Sequence, residues 1–70
     1  MISMKIKAKN CFREIRIKKG FSLTALADAM NVSTSVVSNI ENQKNIRPAT
    51  AKKVCKVLDE SFETLFTIES

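Results

Sequence analysis

Histidine is absent from these 70 residues, glycine and proline occur once each, and cysteine occurs twice. No apolar run approaches the ~20 residues that a membrane-spanning helix needs. With no histidine, one glycine and no paired carboxylates in a cleft-like setting, no nucleophile, general base or metal site can be assembled. The expectation is therefore a non-enzymatic protein with no metal, no other cofactor, no small-molecule substrate and no membrane partner. Cys11 and Cys55 match no metal-ligand spacing. They read as small buried hydrophobes of a reducing compartment, with nothing to indicate a redox role. Met1–Asn10 has no h-region and no small-residue cleavage site, so the expected location is cytoplasmic.

What is present points elsewhere. An apolar fraction of 44% is that of a folded chain. Its length suits one domain, residues 1–70, whose core is marginal unless tightly packed helices or a partner chain add burial. The net charge of +5 is unevenly placed: residues 1–56 carry +9 and residues 57–70 carry −4. A basic body followed by an acidic segment suits a polyanionic partner.

Apolar spacing of three and four predicts an all-α fold of five short helices. The first covers Lys9–Lys19, with Ala8, Cys11, Phe12 and Ile15 inward, and ends at Gly20. Ser22 caps a second, Leu23 to Met30, whose apolar side is Leu23, Leu26, Ala27 and Met30 and which stops at Asn31. Ser33 or Thr34 caps a third, residues 34–42, with Val36, Val37 and Ile40 apolar. Pro48 suits the first turn of a fourth, striped by Ala51, Val54, Cys55 and Leu58. Ser61 caps a fifth with Phe62, Leu65 and Phe66. At the ends, Ile2, Met4 and Ile6 alternate with polar residues, as do Phe66 and Ile68. This predicts short terminal strands, paired within or between chains.

The second and third helices are joined only by Asn31-Val32-Ser33. Ala27 is small enough to let them approach, and Val32 can plug the angle between them. A bracing helix, a tight turn and a presenting helix make a helix-turn-helix. Gly20–Ala27, Asn31-Val32-Ser33 and Val36–Asn42 together resemble the Cro/phage-repressor family. Arg13–Arg16 before them, and Ala51–Leu58 and Ser61–Phe66 after them, extend the resemblance without gaps over residues 8–66. It implies a compact five-helix bundle that binds a double-stranded DNA operator, often as a homodimer. Three positions depart from the family pattern: Leu23 where Gln is frequent, Asn31 where Gly is common, and Gln43 where Gly often follows the third helix.

By this resemblance Thr34, Ser35, Ser38 and Asn39 occupy base-facing positions, with Val36 at the edge of that face. Asn39 is chemically the strongest, because its amide can pair bidentately with adenine N6 and N7, whereas Val36 suits a thymine methyl. Phosphate contacts are expected from Ser22 with the start of the second helix, and from Asn42, Lys44 and Arg47. Lys18, Lys19, Lys52 and Lys53 are candidates for non-specific attraction. Arg16 and Glu41 match positions that the family commonly joins in a partly buried salt bridge, an architectural role. The expected function is a transcriptional regulator, a repressor of phage or plasmid/mobile-element type. The alternative is an antitoxin-like protein that binds a partner protein and its own promoter. The dimer is expected to use Ser61–Ser70, through Phe62, Leu65, Phe66 and Ile68, unless Phe62 and Leu65 simply close the monomer core.

Overall fold

The computed structural model describes residues 4–69, so Ile2 and Ser70, which the sequence reading assigned to the terminal strand pattern and the dimer segment, lie outside the described residues. The elements run β1 (Lys5–Ala8), α1 (Phe12–Lys18), α2 (Leu23–Met30), α3 (Thr34–Glu41), α4 (Pro48–Leu58), α5 (Phe62–Leu65) and β2 (Phe66–Glu69). The five helices expected from the apolar spacing are all present. β1 and β2 pair antiparallel within the chain, Lys5 opposite Glu69 through Ala8 opposite Phe66. The core is continuous from one end of the chain to the other. Phe12 and Phe66 are each 1% exposed, and their rings lie 5.9 Å apart. Around them pack Leu26, Val37, Ile40, Val54, Leu58 and Leu65, each contributing about 1.5–3 kcal/mol of burial.

Four of the helices end in the same way. Gly20, Asn31, Gln43 and Asp59 all take positive φ, between 55° and 85°. After each, the next amide reaches back to the carbonyl five residues earlier: Phe21 to Arg16, Val32 to Ala27, Lys44 to Asn39, Glu60 to Cys55. This closure satisfies carbonyls that the helix ends would otherwise orphan, and it turns the chain sharply onto the next helix. Only at position 20 is the residue a glycine, for which this conformation carries no steric cost.

The structure corrects the sequence reading at three places. Helix α1 begins at Phe12, not Lys9. The Lys9 amide donates to the Leu65 carbonyl at 2.8 Å, so the strand ladder claims the residues where a helix was expected. Cys11 is exposed rather than buried, because it lies at the N-cap of α1 outside the inward row, and its thiol faces the Thr64 carbonyl at 3.5 Å. Leu65, at the end of α5, and Phe66, which opens β2 instead of continuing the fifth helix, are core residues at 0% and 1% exposure, so neither is free to form a dimer surface.

Gln43 carries the conformation that glycine would adopt freely, and its side chain does something glycine cannot. Its Nε2 donates to the Ala8 carbonyl at 3.2 Å and to Asn10 Oδ1 at 2.8 Å, tying the end of α3 to the exit of β1. Gln43→Ala keeps the backbone strain and loses both bonds, and is expected to lower stability by about 1–2 kcal/mol. Gln43→Gly loses the bonds but relieves the strain and should fall closer to wild type. Urea unfolding of the pair checks this: equal stability of the alanine variant and wild type would show that the side chain does nothing for the fold.

Candidate nucleic-acid interface

The geometry of the α2–turn–α3 unit follows from a few local choices. The Ser22 Oγ accepts from the Ala25 amide at 3.0 Å and caps α2. The amides of Leu23 and Thr24 precede the first backbone bond of that helix, from Leu26 to the Ser22 carbonyl, and so remain open to an acceptor outside it. Asn31 closes α2 in the left-handed conformation. Ala27, 1% exposed, lets α2 approach its neighbours, and half-buried Val32 packs against the core from inside the turn.

The rotation of α3 is set by Val37 and Ile40, both 0% exposed. That rotation leaves Thr34, Ser35 and Asn39 exposed and Ser38 half-buried. Val36 lies at the edge, half-buried, with part of its surface against the core. Ser33 occupies the N-cap, but its hydroxyl pairs with the Ser35 hydroxyl at 2.9 Å and not with a helix amide. The outward side of α3 therefore bears short hydroxyls around one amide.

Among the described residues one charged residue lies inside. Arg16 is 6% exposed, the buried polar member of an otherwise apolar interior. Its Nε donates to Glu41 Oε1 at the end of α3, and its guanidinium donates to the Phe21 carbonyl at 2.6 Å. Helix α1, the chain leading into α2 and the last turn of α3 are thus held by one side chain. Among the described residues no buried side-chain nitrogen or oxygen lacks a hydrogen-bond partner.

Ser22, Asn42, Lys44 and Arg47 are all exposed. Asn42 is the C-cap of α3 and Arg47 the N-cap of α4, so both flank the loop between these helices. Among the described residues neither Lys44 nor Arg47 forms an ion pair. Lys18 and Lys19 differ: they pair with Glu14 at 3.2 Å and Glu60 at 2.9 Å, which reduces what they offer a polyanion. Lys52 and Lys53 are exposed and have no such partner among the described residues.

The family profile described as Helix-turn-helix matches residues 12–65. The chain belongs to this family, the Cro/C1-type helix-turn-helix proteins, which bind DNA. Its fold is also similar to the crystal structure of the transcriptional regulator VanUg, with a TM-score of 0.73 and 17% identity over 99% of this chain and 91% of that one. No curated protein matches the sequence. Among the described residues no helix is long and apolar enough to cross a membrane.

Within this helix-turn-helix family the three departures now have structural readings. Leu23, in place of Gln, is half-buried and turns onto the core, so its side chain offers no polar contact at the start of α2. Asn31 adopts the conformation of the common Gly at φ 59°. Gln43 does the same at φ 61° while anchoring β1. Sequence reasoning missed Gln43 and Asn45 as positioning residues. Asn45 Oδ1 accepts from the Ile6 amide at 3.1 Å, and the neighbouring Ile46 amide donates to the Ile6 carbonyl. Both link residues about 35–40 apart in the chain, and no local pattern signals them.

The buried pair should be worth far more than a surface one. Removing one partner leaves a charge without compensation, so Glu41→Ala is expected to cost about 3–5 kcal/mol. The double variant Arg16→Met with Glu41→Leu should regain much of that loss. Thermal or urea unfolding of single and double variants checks it; single variants as stable as wild type would show that the pair does not hold the fold.

Proposed function

We propose that the protein is a sequence-specific transcriptional repressor of phage or mobile-element type, which inserts α3 into the major groove of an operator and acts as a homodimer. The observation that carries this reading is the exposed polar face of α3, fixed in rotation by Val37 and Ile40. In this reading Asn39 pairs with an adenine edge, while Thr34, Ser35 and Ser38 supply short hydroxyl contacts. Val36 reaches a thymine methyl only with the part of its surface that the core leaves free. Ser22, with the open amides at the start of α2, meets one phosphate. Asn42, Lys44 and Arg47 meet the backbone beside it, and Arg16 with Glu41 ties α1 to α3.

Charge supports the same reading. The +9 of residues 1–56 favours a polyanion, and no ion pair among the described residues engages Lys44 or Arg47. The similarity to a structure titled as a transcriptional regulator adds to the regulatory half of the proposal. The role is non-enzymatic: binding the operator is itself the act.

Two measurements test it. Affinity for duplex DNA should fall steeply with salt, log K dropping by about 0.9 per log unit of salt for each phosphate neutralised. A flat salt titration would remove nucleic acid as the ligand. After an operator has been selected from random duplexes, Asn39→Ala should cost about 1–3 kcal/mol on it and little on random DNA, whereas Arg47→Ala should weaken both alike. Equal losses for Asn39→Ala on both duplexes would mean that Asn39 reads no base.

A further inference from the structure

The large apolar side chains left outside the core gather at one place. Among the described residues three are exposed, and two of them, Met4 at 64% and Ile68 at 49%, line one groove with half-buried Ile46 and Phe62. Its volume is about 720 Å³, within the ~300–1,000 Å³ of sites that hold small ligands. Such sites are mostly apolar and carry a few polar groups that fix the ligand's direction. No residue of α2 or α3 lines the groove, so an occupant there leaves the outward side of α3 uncovered.

The charges in the lining are of one sign. Arg47 and Lys52 belong to it, and no carboxylate does. Among the described residues neither cation forms an ion pair, while Glu60 and Glu69 of the acidic segment are already taken by Lys19 and Lys7. Helix α4 opens at the groove with Pro48, and its first turn holds no acidic residue to answer the positive end of the helix dipole. Cys55 lines the groove as a neutral thiol. Burial pushes its pKa up, and Glu63, which lies outside the lining, adds to the shift. The groove is thus an apolar trough with two unmatched cations and no anion of its own.

We propose that this groove binds an amphipathic monoanion, an apolar chain ending in a carboxylate of the fatty-acid kind. The chain lies along Met4, Ile46, Phe62 and Ile68, and the carboxylate meets Arg47 and Lys52. The ligand is held, not transformed. Charge complementarity selects it. A neutral apolar ligand would leave both cations unanswered, and a cationic one would oppose them. A protein partner fits less well, because ten residues line the groove against about 20–30 a side in a standard protein interface. Arg47 gives the site a consequence. It lines the groove and is also an expected phosphate contact, and one guanidinium cannot offer the same donors to both anions. Bound carboxylate and bound operator therefore oppose each other, and linkage makes the opposition reciprocal. This coupling deepens the regulator of the proposed function and rests on it, whereas the binding site itself does not.

Decanoate, well below its micelle concentration, is the probe. Titrated into the full chain without DNA, it should bind saturably and shift the NMR signals of Met4, Ile46, Phe62 and Ile68, with an unchanged circular dichroism spectrum. Decanol, which lacks the charge, should bind about tenfold more weakly, as the loss of a charge-assisted contact predicts. Lys52→Glu should weaken decanoate by about as much, and Ile68→Glu, at a half-exposed position outside the core, should abolish its binding. An absence of saturable binding overturns the proposal, whether a protein or a second copy then fills the groove. So does binding that unfolds the chain, equal affinity for decanol and decanoate, or indifference to both substitutions. Phosphatidylglycerol vesicles separate the free ligand from a membrane: a chain that co-sediments with them and does not bind decanoate overturns it as well. With duplex DNA present, saturating decanoate should raise the dissociation constant of the duplex about tenfold, and duplex should raise that of decanoate equally. Decanoate binding without this coupling overturns the opposition at Arg47. The regulator reading fails separately: a chain that binds decanoate with this mutational pattern and shows no salt-dependent duplex binding would leave the site standing and remove the function.

Discussion

A guanidinium taken out of water must be answered on every side, and the arrangement of the first three helices depends on that requirement at Arg16. A buried charge is tolerable only when its partners are fixed in place. Here they come from different parts of the chain. Glu41 ends the helix that presents the polar face, and the Phe21 carbonyl stands just before the cap of α2. The carbonyl is in place only because Gly20 takes φ 85° and turns the chain back over the end of α1. One electrostatic constraint therefore links a single glycine, the entry to α2 and the C-terminal turn of α3. A hydrophobic residue at position 16 would fill the space without fixing the direction of any of these three.

Packing supplies what the ion pair does not. The ion pair holds α3 at its end, and Val37 and Ile40 fix its rotation. Both are needed for the outward face to be reproducible, because hydrogen bonds to a base edge are lost with small misplacements. The sheet performs a similar service at the other side of the molecule. β1 and β2 join the two ends of the chain, Phe12 meets Phe66 across the core, and Gln43 and Asn45 tie the loop after α3 to β1. For so short a chain, in which a single core is marginal, these long-range ties close a structure that five short helices alone would leave loosely held.

The separation of surfaces follows from the same architecture. The α2–α3 unit offers polar side chains and open helix-start amides, with Lys44 and Arg47 beside it. The groove beside α4, α5 and the sheet offers apolar side chains with Arg47 and Lys52 among them. Arg47 stands at the junction, opening α4 and contributing to both.

The sequence by itself determined everything that depends on local periodicity and end chemistry. Apolar spacing placed the five helices, Ser22 and Asn31 marked the bounds of α2, and the inward Val37 and Ile40 identified the outward polar face of α3. The period of two at the termini announced strands. These are local effects, each readable within a few residues. Pairing partners were not readable, because alternation says that a strand exists and not which segment satisfies it. The tertiary structure decided that β1 takes β2 from its own chain, and with that it took Lys9 from the helix and turned Leu65 and Phe66 into core. The Arg16–Glu41 bridge was already implied by the family resemblance, and the fold added the Phe21 carbonyl that answers the rest of the guanidinium. It also made Gln43 and Asn45 into ties and gathered Met4, Ile46, Phe62 and Ile68 along one groove. Those outcomes depend on groups far apart in the chain meeting in space, and such meetings carry no signature in the order of the residues.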